Sequence, residues 1–145
     1  MKDKKFNKLL ANFKVLSYKI HCFHTDMKWE TFHEYHKFLW DIYNWLEDQV
    51  DIIKERARIS DIYTATSLKE IVELSDIEEI DPEDAPITEI SVIKDFVSKD
   101  LSELEDFLLE EIQFFGKTND LVTQNILIDF LDNIWKFRWM NDSSL

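Results

Sequence analysis

From about residue 30 to residue 59 the chain carries two helical stripes side by side, with no glycine or proline to interrupt them. Phe32, Tyr35, Leu39, Ile42, Leu46, Val50 and Ile53 step by threes and fours and make one apolar face. Beside it runs a second row of mixed chemistry: His36, Trp40, Tyr43, Glu47, Asp51 and Glu55. A helix of about thirty residues is roughly 45 Å long. An apolar face of that length must be covered by other long helices, which is the arrangement of a four-helix bundle.

The rest of the chain reads the same way. One Gly and two Pro in 145 residues are too few for a fold of short strands and many turns. Residues 3–24 predict a first helix, with Phe6, Leu9, Leu10, Phe13, Leu16, Ile20 and Phe23 on its apolar face and His24 extending the edge of that face. Residues 25–29 are a short connection. The pattern breaks over 60–66, and Ser67-Leu-Lys-Glu70 is a capping box that starts a short helix through about Leu74. The acidic stretch 75–86 holds both prolines and reads as surface loop. A third long helix covers about 88–115 with Ile90, Ile93, Val97, Leu101, Leu104, Leu108 and Phe115 inward, and Gly116 is placed as its C′ residue. The last runs from about Asp120 to Met140 with Leu121, Leu127, Leu131, Ile134 and Trp135 facing in. The expectation is an all-α single domain over 1–145, four long helices with an extra short one in the crossover between helices two and three.

Charge limits the partners. The net charge is −13, but Lys2, Lys4, Lys5, Lys8, Lys14 and Lys19 against Asp3 give the first nineteen residues +5, leaving −18 for the remainder. Such a body repels phosphate backbones, so DNA contact is expected only, and weakly, through the lysine-rich start. The one cysteine, Cys22, excludes an intrachain disulfide and reads as a buried thiol in a reducing compartment. No apolar run approaches eighteen residues, and Met1–Lys5 lacks the apolar core of a signal peptide, so a soluble cytoplasmic protein is expected, with no membrane partner.

All four histidines fall in the first 36 residues. Imidazole and carboxylate together suit iron, zinc or manganese. Asp51 and Glu55 lie one turn apart, about 6 Å along the axis, and can hold one ion together. His24 and His36 flank the first connection and can converge. His36 and Asp51, however, lie fifteen residues apart on one helix, about 22 Å. They can share an ion only if two copies pack antiparallel, and a two-fold dimer then makes two equivalent sites. A bundle that binds two metals within one chain needs Glu-x-x-His pairs on different helices. Glu30-Thr-Phe-His33 is one such pair, but the third and fourth long helices have no histidine, which excludes that arrangement. A register using His21, His33 and Asp48 puts Ile52 where a carboxylate is needed, so His21 and His33 read as surface or packing residues.

The segment His24-x7-Phe32-x3-His36-x9-Leu46-x4-Asp51-x3-Glu55-Arg56-Ala57 resembles the signature of the Dps mini-ferritins. Ser67-Leu-Lys-Glu70 is similar to that family's short crossover helix, and Lys136-Phe-Arg-Trp139-Met140 to its C-terminal helix. The resemblance covers roughly residues 5–141. It implies a ferritin-like four-helix bundle assembling into a twelve-subunit shell built on two-fold dimers. The implied activity is that of a ferroxidase, which oxidises ferrous iron with peroxide or oxygen and stores the ferric mineral, protecting against oxidative damage. By position, His24 and His36 of one subunit and Asp51 and Glu55 of its neighbour are the implied catalytic and iron-binding residues. This chain departs from the pattern at three places. Trp40 stands where an acidic ligand follows the second histidine, Thr25 replaces an aromatic, and Trp29 replaces a small residue. Asp41 and Glu47 are the nearest acids that could compensate. If they do not, the alternative is a shell of the same fold with a degenerate centre, structural or weakly metal-binding. Trp40, Trp45, Trp135 and Trp139 occupy core or interface positions on the helices.

Overall fold

The computed structural model describes residues 1–28 and 32–143, with Phe32 described by its backbone alone. The helices are α1 (Lys2–Asp26), α2 (Phe32–Ile59), α3 (Leu68–Leu74), α4 (Ile90–Lys117) and α5 (Leu121–Ser143), and the described residues contain no strand. The chain divides into two compact units, Met1–Ile93 and Lys94–Leu145. Trp29, Glu30 and the Phe32 side chain, which the sequence reading used, lie outside the described residues.

In the first unit, α1 and α2 pack along their length. Every residue assigned to the apolar face of α1 is buried, as are Tyr35, Leu39, Ile42, Leu46, Val50 and Ile53 of α2. Helix α2 ends where Asp61 takes φ 61°. The Ile62 N–H then reaches the Ala57 carbonyl at 2.9 Å and the Asp61 N–H reaches Arg58 at 3.0 Å, the paired closure of a Schellman motif.

The crossover that follows has few backbone partners of its own, and α1 supplies them. Asn7 Oδ1 accepts the Ala65 N–H at 2.7 Å. Buried Asn12 accepts the Asp76 N–H at 2.7 Å and the Ser75 hydroxyl at 3.3 Å. Lys19, also buried, donates to the Glu78 carbonyl at 2.6 Å. Helix α3 starts as its capping box predicts, with Ser67 Oγ accepting the Glu70 N–H at 3.1 Å. The acidic stretch lies mostly at the surface, held by buried Ile77.

The second unit is built on α4 and α5. The seven residues assigned to the inward face of α4 are all buried. Gly116 is not the C′ residue: α4 continues through Lys117, and the left-handed position is Asn119, φ 61°. Asp120 N–H to Phe115 at 2.9 Å and Asn119 N–H to Gly116 at 3.2 Å complete a second Schellman closure. Gly116 serves packing instead. A Cβ there would strike the Gln124 amide, which reaches over it to donate to the Ile112 carbonyl at 3.1 Å.

The inward face of α5 also needs correction. Leu127, Leu131 and Ile134 are buried, but Leu121 is 57% and Trp135 49% exposed. The true stripe starts at Thr123 and ends at Asn141, both buried and polar. Thr123 hydrogen-bonds the capping Asp120, and Asn141 donates to the Lys94 carbonyl at 3.1 Å. Polar residues at both ends of the stripe shift an apolarity-based assignment onto its neighbours. Trp135 lies beside the stripe, about 100° round from Ile134, and its indole donates to Glu105 at 3.0 Å.

Candidate metal centre

His24 sits in the last turn of α1, where backbone carbonyls lack helical partners. His36 fills that need. Its Nδ1 lies 2.6 Å from the His24 carbonyl, and His24 Nδ1 lies 2.6 Å from the His36 carbonyl. A carbonyl only accepts, so both Nδ1 atoms carry the proton. In neutral rings that tautomer places the lone pair on Nε2, the atom through which an imidazole binds metal. The rings stack with centroids 3.5 Å apart and planes 18° from parallel. The exchange orients both ligands by backbone, with no carboxylate required. Burial holds the His24 pKa below the ordinary histidine value, and the neighbouring imidazoles His36 and His21 push the same way. The ring therefore stays neutral and ligand-competent.

Tyr43, two turns beyond His36 on α2, packs edge-on to His24 at 5.2 Å and face-on to His21 at 4.4 Å. His21 is thus a packing histidine at the surface, as its register suggests. The sequence reading placed Tyr43 in the mixed row but missed it as the wall of the imidazole cluster. Its seven-residue spacing from His36 is the signal that could have found it.

The other half-site is simpler. Asp51 and Glu55 are exposed on α2. The Asp51 carboxyl hydrogen-bonds that of Glu55, and its charge adds to the effect, so the Glu55 pKa is raised. Two exposed carboxyls one turn apart suit joint binding of a cation, which relieves their repulsion. His36 of one half-site and Asp51 of the other both lie on unbroken α2, about 22 Å apart by rise per residue. Among the described residues no three His, Cys, Asp or Glu gather as a metal group within the chain.

The two acids named as compensating candidates, Glu47 and Asp41, are occupied. Glu47 takes Lys14 at 2.8 and 3.1 Å, and Asp41 takes Lys37 at 3.0 Å. Trp40 is 47% exposed, with the Lys37 ammonium 5.5 Å from its ring. Trp135 and Trp139 are likewise surface rings and Trp45 is half-buried, so of the two expected positions for the tryptophans the core is excluded for three. Cys22 is half-buried rather than buried, and burial raises its pKa. It lines a separate groove of about 820 Å³ with Tyr18, Leu68, Ile71, Val72 and Ile80, which contains none of the four predicted ligands.

Comparison with known proteins decides the family. The ferritin family, described as a ferritin-like domain, matches residues 3–145. The DNA protection during starvation protein of Listeria monocytogenes is 32% identical over 134 residues, 92% of this chain and 85% of that one. The chain belongs to the Dps branch of the ferritin-like proteins. Solved structures agree. Dps from Listeria monocytogenes superposes with a TM-score of 0.89 at 30% identity, covering 97% of this chain and 90% of that one. Listeria innocua Dps soaked with zinc gives 0.91 at 28% identity, covering 99% and 94%. Dps from Staphylococcus aureus gives 0.90 at 26%, covering 98% and 94%. The fold class is therefore the ferritin-like four-helix bundle with a short helix in its long crossover. Among the described residues no helix is long and apolar enough to cross a membrane.

Proposed function

We propose that two copies of this chain join His24 and His36 of one subunit to the partner subunit's Asp51 and Glu55, bind ferrous iron there, and oxidise it with peroxide or oxygen. The ferric product is stored as mineral inside an oligomeric shell, expected to be a dodecamer of two-fold dimers in the cytoplasm. Removing ferrous iron and peroxide together gives the protection against oxidative damage that membership of the Dps branch suggests.

One observation carries this reading. Each half-site supplies two ligands pre-set for a cation, and neither can reach the other within one chain. Two imidazole nitrogens and two carboxylates are a donor set that suits ferrous iron. The Nδ1–carbonyl bonds orient the imidazoles before iron arrives. The negative charge of the carboxylate pair favours the ferric product over the ferrous substrate.

The test is anaerobic loading with ferrous iron followed by peroxide. The wild type consumes peroxide and mineralises iron, and His36→Ala and Asp51→Ala each fall to background. A wild-type rate no higher than theirs ends the enzymatic reading and leaves the alternative that Trp40 favours, a shell with a degenerate centre. DNA association is the weaker partner expectation, because Lys8, Lys14 and Lys19 are engaged by Asp76, Glu47 and the Glu78 carbonyl.

A further inference from the structure

We infer that each shared centre holds a single metal ion, and that Trp40 and Lys37 close the position a second ion would need. The inference rests on the inter-subunit reading above.

The ligands are the first argument. The imidazole half-site contributes His24 and His36, the carboxylate half-site contributes Asp51 and Glu55, and among the described residues no third metal-binding side chain joins either pair. The His21 ring lies 6.3 Å from that of His24 and is stacked on Tyr43. Glu47 and Asp41 are held by lysines. Four ligands complete the tetrahedral shell of one divalent ion. Divided between two ions, they leave each with mostly water, a shell that oxygen-seeking cations exchange freely.

Charge is the second argument. The two carboxylates carry −2 when ionised, which balances one divalent cation and not two. The surface beside His36 adds no negative charge. One turn further along the same face stands Trp40 in place of an anion. The Lys37 ammonium lies over that ring, and its partner Asp41 is neutralised by the same contact. A second cation next to His36 would meet an aromatic ring whose face is already taken by an ammonium.

Cobalt(II), titrated anaerobically into the assembled oligomer and counted by native mass spectrometry, tests this. Adventitious binding to the acidic surface is removed by subtracting the count for Asp51→Ala. The wild type should bind about one specific ion per subunit, since a two-fold dimer carries one site per chain. Trp40→Asp, which restores an anion one turn after His36, should bind about two. Two specific ions in the wild type, or one in both proteins, overturns the inference while leaving the shared centre standing. Equal binding by wild type and Asp51→Ala overturns the shared centre itself, and this inference with it. Should Trp40→Asp fail to assemble, the wild-type count alone still decides.

Discussion

Two inactive variants of this chain should restore each other. Consider His36→Ala and Asp51→Ala co-expressed in equal amounts. His36 and Asp51 lie fifteen residues apart on a helix without a break, and fifteen rises of 1.5 Å place them about 22 Å apart. No rotamer closes that distance, so a working site takes its imidazoles and its carboxylates from different chains. An intact site then needs an Asp51→Ala chain as imidazole donor, at a chance of one half. It needs a His36→Ala chain as carboxylate donor, at one half again. The mixed protein should recover about a quarter of the wild-type rate of ferrous oxidation, although each parent stays at background. The figure depends only on the two halves being in trans. The cis control sharpens it: wild type mixed equally with the double variant should also give about a quarter, whereas a site built within one chain would give about half. Stopped-flow absorbance of ferric product, normalised to assembled protein, reads both mixtures. Recovery no higher than the parents in the first mixture, with about half in the second, would refute the geometry.

Three further outcomes follow from particular contacts. Because the neighbouring Asp51 carboxyl raises the Glu55 pKa, ion binding at a pH where Glu55 is partly protonated should release a proton; calorimetry in buffers of different ionisation enthalpy should detect it in wild type and not in Glu55→Gln. His24 is buried with a lowered pKa, so just below about pH 6.5 the unfolded chain binds more protons than the folded one, and stability falls as pH drops from there towards the folded value. Urea midpoints of His24→Asn should lack that part of the slope; an unchanged slope would show that His24 titrates normally. Asn12→Ala strands the Asp76 N–H and should cost about 1–3 kcal/mol, lowering the thermal midpoint by roughly 2–4 °C for each kcal/mol, with the loss of protection in hydrogen exchange confined to the crossover.

What could be read from the sequence follows the physics of each element. The stripes of α1, α2 and α4 were legible because the positions assigned to them are apolar and recur at helical steps, although Asn12, Lys19, Asp100 and Glu111 are buried on the same helices and hydropathy did not mark them. On α5 periodicity and burial part: Thr123 and Asn141 are buried because the backbone and a capping carboxylate satisfy them, and hydropathy places such residues outside. Gly116 misled for a related reason. A glycine near a helix end signals a left-handed cap, yet here the missing Cβ makes room for the Gln124 amide, and Asn119 takes the strained conformation three residues later. The four ligand candidates were visible as types and spacings. Their preparation was not, because the bonds that orient His24 and His36 run to backbone carbonyls, which no side-chain pattern encodes.

That preparation bears on how a centre can lose a ligand and keep a function. If the imidazoles depended on carboxylates for their tautomer, replacing the acid one turn after His36 by Trp40 would threaten both the ion's charge balance and the orientation of its ligands. Here each ring is oriented by the other's main chain, through bonds that close the end of α1 and the beginning of α2. On the reading proposed above, Trp40 would change the charge and the number of ions held, while the fold keeps the orientation of His24 and His36. The carboxylate half is complementary: Asp51 raises the pKa of Glu55, and a cation bound between them would offset that repulsion. Neither half is strained by waiting for the other. That is the condition under which a site divided between two chains can be carried by a stable single chain and completed on assembly.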